Sequence, residues 1–318
     1  MTAPFTIAHL SDLHLSAEHK RNHIRRTRRA LDYINTIGAQ HVVVTGDITA
    51  DGTAADYRVA RSVFASAGLL TPSRLTVTIG NHDVFGGVHT AEDVLTFPGR
   101  CAGIDAKAKV REFGEAFHET FRGAVMPSEK RVFPFVKVLG DIAIIAVNTI
   151  APYSRLKNPL GSNGIVDDRA FAMLEELLQS PSLRSRRKVV ALHHHFHKMR
   201  GEKNGTMHSV WGAIERQTMK LRGKSKLLRL FALTHVDLVL HGHIHRSMEY
   251  TREGVRFLNG GGSILHDQLD DLHINVIRMQ AERTTVEIHR VAPESMPLRI
   301  GAGQQRESME STSAHAAA

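Results

Sequence analysis

Apolar and polar positions alternate in blocks along the first third of the chain. Residues 5–10, 42–44 and 75–79 are short apolar runs, each followed at once by polar residues. Runs of this length, bounded by turn-forming residues, predict buried strands. Between them the apolar residues recur at helical spacing. Ile24, Ala30, Leu31, Ile34 and Ile37 mark one helix, which Gly38 ends, and Tyr57, Ala60, Val63 and Phe64 mark a second over 54–67. Strand, helix, strand, helix, strand predicts βαβ units, in which ligands bind at the carboxyl ends of the strands.

The rhythm breaks after Asp83. Residues 85–130 carry Gly86-Gly87 and Pro98-Gly99 and are expected to form an insertion or lid beside the site, with one helix over 106–121. A hairpin follows, 132–139 and 142–147, turning at Gly140-Asp141. Asp167 or Asp168 caps a helix to Gln179, and 188–192 and 236–240 are two further buried strands. Residues 198–230 are strongly basic and interspersed with apolar points such as Trp211. They could form a substrate-side cap, a membrane-facing amphipathic patch or a solvated helical hairpin. The β-like runs 247–250, 255–258, 273–279 and 284–291 predict an antiparallel second sheet that completes a sandwich. Residues 303–318 are small and polar and read as a disordered tail, which leaves 1–302 as one domain.

Composition narrows the chemistry. The 318 residues are 42% hydrophobic and 23% charged, enough for a large core. Cys101 is the single cysteine, so an internal disulfide and a thiolate metal cluster are both excluded. This composition fits a reducing cytoplasm. Residues 1–15 lack the pattern of a signal peptide, and no apolar run approaches a membrane span. The net charge of +9 favours anionic partners: a phosphate ester, nucleic acid or an acidic membrane face. Arg21, Arg25, Arg26, Arg28 and Arg29 fall on one predicted helix and read first as a solvated face.

The strand ends carry the candidate chemistry. Asp12 and His14 follow the first strand, Gly46-Asp47 the second and Gly80-Asn81-His82-Asp83 the third. His193-His194-His195 follows the strand at 188–192, and His241-Gly242-His243-Ile244-His245 follows the strand at 236–240. Each element alone is ordinary turn chemistry. In this order, D-x-H, G-D, G-N-H-D, H and G-H-x-H form a specific pattern that resembles the calcineurin-like metallophosphoesterase superfamily over Asp12 to His245.

The resemblance implies an α/β fold, a four-layer α/β/β/α sandwich with a two-metal site at the strand C-terminal ends. It implies Asp12, His14, Asp47 and His245 as ligands of one metal, and Asp47, Asn81, His193 and His243 as ligands of the other, with Asp47 bridging. His82 matches the histidine that contacts the substrate phosphate and assists the leaving group, and Asp83 the residue that orients it. Phe196 stands where family members often have proline, so His194 is the alternative to His193. His241 has no ligand role in the pattern and falls to packing or support of the ligands. A sulfur-free set of oxygen and nitrogen donors suits two divalent ions such as Mn²⁺, Fe or Zn²⁺. The family's chemistry is attack on phosphorus by a hydroxide held between the two ions.

The G-N-H-D element, the triple histidine and the stretch 236–243 resemble the bacterial class III cyclic-nucleotide phosphodiesterase branch. The resemblance implies a small phosphodiester substrate, with cyclic nucleotides first. A nuclease of the same superfamily would use the positive charge, but no basic groove interleaved with aromatics is evident. A lipid-headgroup hydrolase would use 198–230 against a membrane. A scaffold without activity would be expected to lack ligands that this chain retains.

Overall fold

The computed structural model describes residues 4–197, 219–264, 271–280 and 283–292. Three apolar runs form parallel strands β1 (Phe5–Leu10), β2 (His41–Thr45) and β3 (Leu75–Thr78), linked by helices α1 (Arg21–Thr36) and α2 (Ala54–Ser66). Every residue of β2 and β3 is buried, as expected of strands covered on both faces. Thr53 caps α2 by accepting from the Asp56 amide.

After β3 come α3 (His82–Phe85), α4 (Ala91–Ala102) and α5 (Ala106–Ala116). One helix was expected between 85 and 130; α4 is an additional one. Its start carries a capping box between Thr90 and Asp93, and Pro98 lies within it. Pro98-Gly99 reads as a break in sequence, yet Phe97 and Cys101, buried in the core on either side, hold the helix through it. Phe113, Phe117, Phe121, Phe133 and Phe135 form a chain of ring contacts that joins this segment to the first core.

The hairpin forms as β4 (Phe135–Leu139) and β5 (Ile142–Ala146). Helix α6 (Asp168–Gln179), capped by Asp167, leads to β6 (Arg187–Ala191). Helix α7 (Lys224–Leu233) leads to β7 (Leu238–His241). Then come β8 (Ser247–Arg252), β9 (Val255–Gly260), β10 (Leu272–Met279) and β11 (Thr284–Val291).

The strands form two sheets, ordered β11-β10-β1-β2-β3 and β4-β5-β6-β7-β9-β8. This corrects the expectation that the last four strands make a sheet of their own. β8 and β9 extend the second sheet, β9 running parallel to β7, while β10 pairs antiparallel with β1 in the first. The free edges of β7 and β1 expose unpaired backbone groups, and these late strands satisfy them.

Ile7, Val43, Ile144, Val189, Leu240 and Ile277 pack between the sheets. A second apolar cluster lies under α1 and α2, and a third under α6 and α7. Each fully buried Val, Leu or Ile contributes about 1.5–3 kcal/mol, so these three layers of contact hold the α/β/β/α sandwich. Leu227, Leu228, Leu230 and Phe231 place α7 in the outer helical layer, so the C-terminal part of the basic segment packs against the second sheet. The remainder of that segment, 198–218, and the expected tail lie outside the described residues. Among the described residues no helix is long and apolar enough to cross a membrane.

Candidate active site

The five polar strand ends converge at one edge of the sandwich. β1 and β2 are parallel neighbours, and so are β6 and β7, so their carboxyl ends emerge side by side. The loops are tied by the backbone: the amides of Asp12 and His14 donate to the carbonyls of Gly46 and Asp47, at 3.2 and 2.9 Å, and the Gly242 amide to the His193 carbonyl at 3.0 Å. Asp12, His14, Asp47 and His243 all have left-handed backbone, with φ of 56, 44, 48 and 73°. Asp and His tolerate this region better than most residues, and such strain gathers at functional sites.

Two glycines let the loops meet. A Cβ on Gly46 (φ +84°) would lie 2.6 Å from His193 Nδ1 and 2.8 Å from the Gly80 Cα. One on Gly242 would lie 1.7 Å from Ser11 Oγ and 2.7 Å from Asp12 Oδ2. The glycines of the G-D and G-H-x-H elements are therefore needed for close approach.

All seven sequence-predicted metal ligands come together. Asp12, His14 and His245 form one group and Asp47, His193 and His243 another; within each, the potential ligand atoms lie within 4.8 Å of one another. His245 Nε2 is 3.8 Å from Asp12 Oδ1. Asp47 stands between the groups, its Oδ2 lying 4.0 Å from His14 Nε2 and 3.4 Å from His193 Nε2. Asn81 Oδ1 and His243 Nδ1 each approach His193 Nε2 to 3.0 Å. His193 Nδ1–H donates to the Thr45 carbonyl at 2.8 Å, which fixes the ring and aims Nε2 into the cluster. His194 turns elsewhere: Nδ1 meets Thr149 Oγ1 at 2.8 Å and Nε2–H donates to the Ser162 carbonyl at 3.2 Å. His193, not His194, faces Asp47. His241 lies behind the site, with Nε2 2.8 Å from the Tyr250 hydroxyl.

The electrostatics fit a cation. Burial works to raise the Asp47 carboxyl, but the imidazoles of His193 and His82 outweigh it and hold it well below the usual carboxylate range. Burial lowers His193, but Asp47 overrides this and the ring is pushed up to about 9. Burial and neighbouring imidazoles hold His14 and His243 well below the ordinary histidine range. Both ring nitrogens of His14 and Nε2 of His243 are buried with no hydrogen-bond partner among the described residues. An ionised carboxylate beside the buried, unpartnered nitrogens of His14 and His243 is the donor set of a divalent cation, and the seven residues fit two.

His82 lies at the mouth of the site, partly exposed, with its ring centroid 4.4 Å from that of His14. Its amide donates to Asp47 Oδ1 at 2.8 Å and its Nδ1–H to the Ala50 carbonyl at 3.1 Å, which leaves Nε2 for a ligand. Asp83 does not orient this ring. Its carboxylate accepts from the amides of Ile48, Thr49 and Gly80 at 3.3, 2.8 and 2.9 Å and from Thr49 Oγ1 at 2.8 Å. Four donors fixed around a fully buried carboxylate make it a staple between the Asp47 and Asn81 loops, and they leave it no reach to His82. The carbonyls of Thr45 and Ala50, which do orient His193 and His82, carry no side-chain signal and could not be read from the sequence.

No curated protein sequence matches this chain. Among solved structures, it is similar in fold to a dimetal phosphatase from Danio rerio, at 11% identity and a TM-score of 0.59, over 92% of this chain and 99% of that one. It is similar also to a purple acid phosphatase from yellow lupin (Lupinus luteus), at 12% identity and a TM-score of 0.56, over 91% of this chain and 52% of that one. The family model for calcineurin-like phosphoesterases matches residues 5–247, which span every strand end described above, and this chain belongs to that family of phosphoester hydrolases.

Proposed function

We propose that the protein is a phosphodiesterase that hydrolyses cyclic nucleotides or other small phosphodiesters with two bound divalent ions, Mn²⁺, Fe or Zn²⁺. The observation that carries this reading is the pair of ligand groups meeting at Asp47, with His82 at their mouth. Asp12, His14, Asp47 and His245 would hold one ion, and Asp47, Asn81, His193 and His243 the other. When bound, the ions supply an activated water and offset charge on the phosphoryl oxygens. His82 would contact the phosphoryl group and, when Nε2 also carries a proton, give it to the departing oxygen. His245, with its side chain 48% exposed, stands on the solvent side of the site. The diester preference rests on the local likeness of the G-N-H-D and G-H-x-H elements to the class III branch.

A panel of phosphomonoesters and phosphodiesters, run with Mn²⁺, Fe²⁺ and Zn²⁺ separately, tests the reading. Turnover of diesters but not monoesters supports it, and turnover of monoesters alone overturns it. One surface feature favours a second reading, a nuclease: a groove of about 560 Å³ lined by Arg21, Arg25, Arg28 and Arg29 on α1. Nucleic-acid binding that weakens steeply with salt would support it.

A further inference from the structure

Outside the seven ligands, a second set of metal-binding side chains comes together. His19, Asp51 and His89 offer potential ligand atoms that all lie within 4.8 Å of one another. His89 Nε2 is 2.7 Å from Asp51 Oδ1, and the His19 and His89 rings lie 4.4 Å apart between centroids at 32°. The three residues come from three separate loops, after β1, β2 and β3. We propose that His19, Asp51 and His89 form a third metal site, which takes one divalent transition ion of the Zn²⁺ type.

The loops are built to hold this arrangement. The buried Asp56 carboxylate accepts from the amides of Ala17 at 2.8 Å and Asp51 at 3.2 Å, so one side chain fixes two of the loops together. The His19 amide donates to Ser16 Oγ at 3.1 Å. The His89 amide donates to Asp93 Oδ2 at 3.0 Å, the same carboxylate that closes the capping box of α4. The Gly87 amide donates to Asp51 Oδ1 at 3.2 Å, and a Cβ on Gly86 would come within 3.2 Å of that oxygen, so the third loop wraps closely around the carboxylate. Two imidazoles and a carboxylate make a three-ligand N₂O set that leaves a coordination position for water or an external ligand. His19 is exposed, which gives the ion a path from solvent.

The position relates the site to the reaction. Asp51 follows Ala50, whose carbonyl holds the His82 ring, and a Cβ on Gly87 would lie 2.9 Å from that ring. An ion here adds positive charge on the His82 side of the centre.

The test is metal stoichiometry of the full chain, measured by elemental analysis after equilibrium dialysis against Zn²⁺. The wild type should bind about three ions per chain, and His19→Ala and His89→Ala about two. His19→Ala guards against misfolding of the other variant, because its side chain is exposed and lies outside the Asp51–His89 pair. Asp47→Asn disrupts the main centre, and it should retain about one ion that a further His89→Ala change removes. Equal Zn²⁺ content in the wild type and both single variants overturns the proposal, as does loss in His89→Ala with none in His19→Ala. Failure of the seven-ligand centre would show instead in Asp47→Asn matching the wild type, so the two results are separable.

Discussion

Gly46→Ala isolates the cost of crowding the candidate metal ligands. The residue has φ of +84°, and its new methyl would press on His193 Nδ1 at 2.6 Å and on the Gly80 Cα at 2.8 Å. The left-handed backbone alone costs an alanine about 1–2 kcal/mol. Moving the His193 ring also breaks the buried bond from Nδ1–H to the Thr45 carbonyl, which adds about 1–3 kcal/mol. The metal-free variant should therefore lose about 2–5 kcal/mol of stability. Because the lost bond aims Nε2 at Asp47, metal affinity should fall about 10–100-fold. Gly38→Ala is the control: its φ is +66° with nothing within 4 Å of the new methyl. It should lose about 1–2 kcal/mol and no metal affinity. Urea unfolding of metal-free protein gives the stabilities, and titration against a chelating dye gives the affinities. Wild-type metal affinity in Gly46→Ala, or an equal loss in Gly38→Ala, would refute the assignment of His193 as a ligand held from behind.

Asp47→Asn should lower the metal content of the main centre and abolish turnover, because one carboxylate serves both ligand groups, whereas His82→Ala should keep its metal and lose about 10²–10⁴-fold in kcat; elemental analysis with steady-state kinetics checks both. Lys137 is buried and donates to the carbonyls of Pro72 and Leu75, and burial pushes its ammonium down from 10.5 to about 7. The folded state gives up this proton near pH 7 and the unfolded chain only near 10.5, so the cost of the charge is full below pH 7 and fades as pH rises between these values. Lys137→Met should then stabilise the protein at pH 6 by up to about 4 kcal/mol, less at pH 10, as thermal unfolding at the two pH values will show. Asp83→Asn turns an amide donor toward backbone donors and should cost about 2–4 kcal/mol by urea unfolding, with a smaller loss of turnover per folded, metal-loaded chain than His82→Ala.

Much of the site was legible because it is built from strand ends. Asp12, Asp47, Asn81, His193 and His243 each follow an apolar run whose strand direction is fixed by a crossover helix or by the next parallel strand, so the motifs give both identity and location. The roles that fail to show in sequence depend on where a side chain points. Asp83 sits beside His82 in the chain, yet α3 turns its carboxylate back to the Thr49 and Gly80 amides. His194 is as good a ligand as His193 by composition, and what separates them is the partners that hold each ring, Thr149 and the Ser162 carbonyl for His194 and the Thr45 carbonyl for His193. The fold shows the same limit. Strands β1 to β3 declare themselves through local rhythm, whereas the pairing of β10 with β1 joins residues such as Ala8 and Val276, and no local pattern encodes it. Pro98 within α4 is a case where buried Phe97 and Cys101 override a strong local signal.

The candidate ligand set is assembled against the backbone's preference, and that bears on how it would bind a metal. Asp12, His14, Asp47 and His243 at positive φ cost about 1–3 kcal/mol each, a sum comparable to the whole stability of an ordinary domain. The strain persists because the loops are fastened to one another independently of any cation. The Leu15 amide donates to the Ile48 carbonyl and the Ala50 amide to the Leu15 carbonyl, both at 2.9 Å. The His243 amide donates to Asp12 Oδ1 at 3.1 Å, and the Asp83 carboxylate gathers the Ile48, Thr49 and Gly80 amides. A site held this way places its oxygen and nitrogen donors before the metal arrives, so little of the binding energy goes into ordering loops. Among the ligands, His245 alone combines a half-exposed side chain with a place outside this backbone lattice of positive-φ residues. It is the one candidate ligand of the seven that is exposed to solvent.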